Sequence, residues 1–161
     1  MTDTQGGPDE PNALVAGRYR LVRQIGPGGA STVWEATDES VGRPVALSMV
    51  TLRHSAEDHG VAVGRALREA RRVARFEHPH AVRVDDVFQH HGEPCLVTEL
   101  VPGRPLPDLL RERHTLDEYE TARLGAQVAA ALAAAHAVGI VHGNVTPGAV
   151  LVADDGKSWV N

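Results

Sequence analysis

Thirty consecutive residues, 124–153, contain no Asp, Glu, Lys or Arg. A stretch that long without a charge must be covered, either by lipid or by protein. A spanning helix needs about 20 apolar residues, so length alone permits a membrane segment. Composition argues against it. The run is rich in alanine and includes Gln127, His136, His142, Asn144 and Pro147. The Leu, Ile, Phe and Val that drive insertion are sparse. It therefore reads as a buried helix followed by a loop, and no membrane segment is expected.

The spacing predicts where that helix begins and ends. Thr115 with Glu118 makes a Thr-x-x-Glu capping box ahead of it. The helix runs to about Val138, with Gly139 as its C-terminal cap. Leu124, Val128, Leu132 and Ala135 form one stripe, and the other faces are mostly alanine, so cover on more than one side is expected.

Upstream, the period is two. Residues 18–25 alternate, 26–31 (GPGGAS) turn, 32–38 alternate again, 37–44 connect, and 45–52 form a third apolar strand. The period then becomes helical over 61–76, where Leu67, Ala70, Val73, Ala74 and Phe76 fall near one face and arginines near the other. Two further strands are predicted at 81–88 and 94–101 around the polar turn QHHGE. A linker, 102–107, leads to a short helix, DLLRERH. A short strand at 149–153 and a second beginning in KSWVN follow the uncharged run.

Composition excludes several function classes. Net charge is −5 and the pI about 6.0, so no nucleic-acid partner is expected, since phosphate neutralisation needs a basic face. The only lysine is Lys157, and any mechanism needing a lysine upstream of it has none. Cys95 is the only cysteine, which excludes an internal disulfide and a cysteine zinc cluster. The closest histidine pairs, His78/His80 and His90/His91, bring no third ligand at usable spacing, so no metal site is expected. No G-x-S-x-G occurs, which removes a hydrolase nucleophile elbow. The opening MTDTQGGPDEPN lacks the basic and apolar regions of a secretory signal. Residues 1–17 are expected to be a disordered leader, and the location cytoplasmic.

Several motifs in order then carry a resemblance. They are IGPGGASTVW (25–34), VALS (45–48), REARRVARFEHPHAV (68–82), LVTELVPGRPL (96–106) and AHAVGIVHGNVTPGAVLV (135–152). Together these resemble a protein kinase domain of the bacterial Ser/Thr type, over about residues 18–161. A dinucleotide-binding loop would share Gly26 and Gly28, but its third glycine position is Ser31 here and a strand follows, not a helix. The resemblance implies an α+β fold: a five-stranded antiparallel N-lobe with helix C and the hinge over 18–101. A partial C-lobe follows over 102–161, with helices D and E, the catalytic loop and the start of the next hairpin.

It also implies a site, and a damaged one. Backbone N–H groups near Gly28 and Gly29 would approach a phosphate. The adenine walls would be Ile25, Val33, Ala46, Thr98, Glu99, Val101 and Leu151, with Gly26 of the glycine loop in the same adenine/phosphate pocket. Ser48 stands where the family has the lysine that holds the α/β-phosphates, while Glu69 matches its helix-C glutamate. The ordinary reading of Glu69 is a surface residue pairing with Arg65 or Arg72. An arginine, Arg20, Arg23 or Arg43, is the conceivable stand-in for the lysine. In the catalytic loop His142 and Pro147 match. Asn144 replaces the aspartate base, Gly143 the arginine, Thr146 the loop lysine and Ala149 the metal-binding asparagine. The family's next metal-binding aspartate would fall one residue past Asn161.

The expected function is therefore a pseudokinase: a regulatory or protein-binding module with weak ATP binding or none, no required cofactor, no magnesium, and a protein partner the sequence does not identify. Two alternatives stay open. One is an ATP-dependent Ser/Thr kinase whose remaining C-lobe is outside this chain. The other is a non-functional truncated fragment.

Overall fold

The computed structural model describes residues 10–26, 31–52 and 56–161. They form two compact units. One comprises residues up to Arg75 together with Val84–Leu100, and the other Phe76–Arg83 with Val101–Asn161.

The first unit is a six-stranded antiparallel sheet with one helix. Its elements are β1 (Leu14–Val15), β2 (Tyr19–Gln24), β3 (Ser31–Asp38), β4 (Arg43–Val50), α1 (Ala56–Val73), β5 (Val84–His90) and β6 (Glu93–Glu99), in the sheet order β1-β2-β3-β4-β6-β5. Strand alternation sorts side chains to two faces. One face gathers Tyr19, Leu21, Trp34, Ala36, Val45, Leu47, Cys95 and Val97 into a single core. Each fully buried large apolar side chain there contributes about 1.5–3 kcal/mol. Tyr19 stacks on Phe88 with ring centroids 5.7 Å apart.

Five strands were expected and a disordered leader through residue 17. The sixth strand, β1, comes from that leader. Val15 is buried in the core, and Asn12 N–H and Leu21 N–H bond across to Leu21 O and Ala13 O at 2.8 and 2.9 Å. A run of four apolar residues (13–16) with no alternation shows no period, which is why the pattern hid it. Helix α1 also differs from the expected 61–76. It starts earlier, at Ala56, and buries Val63, Leu67 and Ala70, the i, i+4, i+7 set. Phe76 lies past its end.

The second unit contains β7 (Arg104–Pro105), α2 (Leu106–Arg113), α3 (Glu118–Ala137), one 3-10 turn (Pro147–Ala149), β8 (Val150–Val152) and β9 (Ser158–Val160). The strands form a small sheet, β7-β8-β9. Leu106, Leu109, Val150 and Val152 make its core, with Leu110, Leu116, Leu124 and Val128 packed against it. Residues 102–107, expected as a linker, supply β7 and the first turn of α2. The segment 76–83 lies along β9, where Val82 N–H bonds Val160 O and Val160 N–H bonds His80 O.

The capping box of α3 sits two residues later than predicted. Asp117 is the N-cap: its carboxylate accepts from Glu120 N–H at 2.7 Å, and Glu120 accepts from Asp117 N–H at 3.1 Å. Asp is as good a cap as Thr, and Asp-x-x-Glu satisfies the same two donors. At the other end Gly139 behaves as expected. It takes φ +74°, and Gly139 N–H and Ile140 N–H close back on His136 O and Ala135 O. Only Ala131 and Ala135 of α3 are buried, and Ala122, Ala126, Ala129, Ala133 and Ala137 are exposed. Among the described residues no helix is long and apolar enough to cross a membrane.

Candidate functional site

In the first unit, register decides what shares a face. Ser48 on β4 lies opposite Val33 on β3 and Leu96 on β6, and Ala46 lies opposite Glu35 and Thr98. These positions all fall on the sheet face away from the Tyr19–Val97 core. Val33, Ala46, Ser48 and Thr98 therefore share one surface. Ala46 and Thr98 are buried there, while Val33 and Ser48 are half-buried. Glu99 pairs with Val45 and belongs to the opposite face.

The turn after β2 folds onto the same surface. Ile25 N–H and Gly26 N–H both donate to Val33 O, at 2.8 and 3.2 Å. A Cβ at Gly26 would stand 2.9 Å from Val33 Cβ, so only glycine fits that approach. Gly28 and Gly29, the phosphate-contact candidates, lie outside the described residues. Val101 and Leu151 belong to the second unit, where Leu151 is half-buried on β8 between Pro105 and Trp159.

None of the three arginines named as stand-ins for a phosphate-holding lysine is free. Arg20 bonds Glu39 and the carbonyl of Asn12, Arg23 meets Glu35 at 2.7 Å, and Arg43 meets Asp85 at 3.0 Å. All three arginines are engaged with carboxylates. Lys157 sits in the other unit with its ammonium 5.0 Å from the Trp159 ring centroid. Glu69 is exposed, and among the described residues it forms no ion pair, so the expected pairing with Arg65 is not made.

The loop 139–149 in the second unit is held by neutral bonds. Asn144 N–H donates to His142 Nδ1 at 3.2 Å, which leaves the ring proton on Nε2 to donate to Asn161 O at 3.0 Å. Asn161 N–H in turn bonds Ala149 O at 2.8 Å. His142 thus ties the loop to the residue after β9. Asn144 and Thr146 are exposed. An amide at 144 cannot take a proton from a hydroxyl, and the methyl of Ala149 cannot ligate magnesium, which demands oxygen.

Sequence reasoning missed the clamp behind this loop. Gln127 on α3 accepts from both Ser158 N–H and Ser158 Oγ–H, at 2.7 and 2.8 Å, and Arg123 donates to Asp155 O at 2.8 Å. Ser158 is fully buried. On its other side His80 Nδ1 donates to Ser158 O at 2.9 Å, so the His-Pro-His turn is structural. The available signal was Gln127 itself, the one amide in α3. Nearby, α2, α3 and the β8–β9 turn enclose a cavity of about 230 Å³. It is below the usual 300–1,000 Å³ of a small-molecule pocket. Two of its cations are spent on Glu112 and Glu120.

Comparison with known proteins gives a consistent family. The protein kinase domain family matches residues 19–160. The probable serine/threonine-protein kinase pknA2 of Bifidobacterium longum is 38% identical over 149 residues, covering 92% of this chain and 20% of that protein. PknA of Mycobacterium tuberculosis is 39% identical over 154 residues, covering 89% of this chain and 34% of that protein. The crystal structure of the M. tuberculosis PknI kinase domain superposes with a TM-score of 0.82 at 25% identity, over 94% of this chain and 59% of that one. The chain therefore spans only a part of the curated relatives it matches.

Proposed function

Since the chain belongs to the protein kinase domain family, and within it resembles the bacterial Ser/Thr kinases, we propose that it is a pseudokinase, a kinase-shaped protein-binding or regulatory module that does not transfer phosphate. Phosphoryl transfer is almost entirely positioning and charge neutralisation. The observation that carries the reading is the joint replacement of charge by neutral groups: Ser48, Gly143, Asn144 and Ala149. Loss of a general base alone costs about 10²–10⁴-fold. Loss of the phosphate-holding lysine and a metal ligand falls on the same step, and Arg20, Arg23 and Arg43 are engaged elsewhere.

The apolar surface of Val33, Ala46 and Thr98 supports a residual role for the adenine walls. Nucleotide binding there is weak and independent of magnesium, with no cofactor required. The partner is a protein. The test is incorporation of labelled phosphate from ATP into the chain and into a generic basic protein substrate, with magnesium and then manganese. No incorporation above the blank is expected. Incorporation abolished by Asn144→Ala would overturn the reading. A second reading, a kinase lobe completed by another polypeptide, is favoured by one observation: the exposed alanine face of α3. It predicts that activity appears only on adding that polypeptide.

A further inference from the structure

Residues 64–75 carry five arginines against one glutamate, Glu69, in a chain whose net charge is −5. Val63, Leu67 and Ala70 of α1 are buried, while Arg65, Arg68 and Arg71 of the same helix are exposed on its other side and Arg75 is exposed just past its end. Among the described residues none of these four arginines has a carboxylate partner. That is unusual in this molecule, where Arg18, Arg20, Arg23, Arg43, Arg104, Arg111 and Arg113 are all paired. Even Glu69, four residues from Arg65 and well placed for a helical pair, leaves it unpaired.

We propose that this outer face of α1 docks an acidic helical segment of a partner protein. Arginine favours that occupant, because its planar fork matches a carboxylate with two parallel bonds. The spacing of Arg65, Arg68 and Arg71 at intervals of three matches Glu or Asp repeating every three or four residues on a facing helix. Val61, exposed on the same side at the start of the stripe, supplies one apolar contact at its edge. A membrane fits less well: one valine is too little apolar area for an interfacial helix, and a net charge of −5 is repelled by anionic lipid. Docking here does not depend on whether phosphotransfer is lost.

The probe is a fluorescein-labelled synthetic helix with Glu at three- and four-residue spacing and one leucine at its end. Binding to the 161-residue chain is read by anisotropy at 50 and 300 mM salt. A scrambled peptide of equal composition and vesicles of phosphatidylserine are run beside it. Saturable, salt-sensitive binding is expected, weakened about tenfold or more in the Arg65→Glu/Arg68→Glu/Arg71→Glu chain. Circular dichroism melts check that this variant folds, and Arg68→Ala alone supplies a milder step in the same direction. No binding, equal binding of the scrambled peptide, binding unchanged by the substitutions, or stronger attachment to vesicles would each overturn the proposal.

Discussion

Asp38 is a buried charge at the end of β3, and its surroundings explain how it stays ionised. Arg18 donates to both carboxylate oxygens, at 2.9 and 2.7 Å, and Ser40 adds its N–H and its hydroxyl. The Arg18 bonds hold the Asp38 carboxyl far below the usual aspartate range, against the opposing effect of burial. Arg18 also lies over the Tyr19 ring, whose hydroxyl donates to Asp86 at 2.7 Å. Burial, reinforced by that bond, pushes the Tyr19 phenol up. A folded-state value below the unfolded one means stability that is present above pH about 4 and lost as pH falls through the folded value. Asp38→Asn is therefore expected to cost about 1–3 kcal/mol at pH 7, chiefly through the lost charge-assisted bonds. Urea midpoints should show the gap to the parent chain shrinking below pH 4. A gap that stays constant down to pH 2 would contradict this account. Nothing in the sequence singles out Asp38 from other turn aspartates, because its partner is 20 residues away. The neutral residues behind the proposed loss of phosphotransfer, Ser48, Asn144 and Ala149, were legible, since each stands inside a motif of known spacing.

At the level of elements, periodicity located most strands and helices, and ends were less certain. The case of α3 separates two caps by experiment. Asp117→Ala should lower stability by about 1 kcal/mol, within the 0.5–2 typical of a lost N-cap. Thr115→Ala, at the position first read as the cap, should change it by less than about 0.5 kcal/mol, as for an ordinary surface site. Thermal midpoints of both variants decide it, and the reverse order would restore Thr115 as the cap. The reason for the error is physical. Thr-x-x-Glu at 115–118 and Asp-x-x-Glu at 117–120 offer the same two donors and acceptors, and sequence alone does not rank them. Arg113 breaks the tie by gripping Glu120 with two bonds, at 2.6 and 2.8 Å, and draws that carboxyl below its usual range. The extra strand β1 was hidden for a related reason. Its partners, Tyr19 and Arg20, are close in sequence, but two residues are too few to show alternation, and only the closed core makes Val15 an interior residue.

For the whole molecule, the fold class was readable because five motifs occur in order, and no single one of them would have sufficed. The site was readable only in its chemistry. Its geometry depends on strand register, which places Val33, Ala46, Ser48 and Thr98 on one surface and Glu99 on the other. The clamp of Gln127 on Ser158 joins elements 31 residues apart and carries no motif. The central claim is that the kinase shape persists without the charges that hold metal and triphosphate. Circular dichroism melts of the 161-residue chain test it most directly, run alone, with excess ATP, and with excess ATP plus magnesium. A ligand at 100 times its Kd adds about 2.7 kcal/mol, a plainly visible shift. One cooperative transition is expected, with the same midpoint whether or not magnesium accompanies ATP. A rise of that size that appears only with magnesium would mean that a metal–phosphate site survives, and would contradict the account.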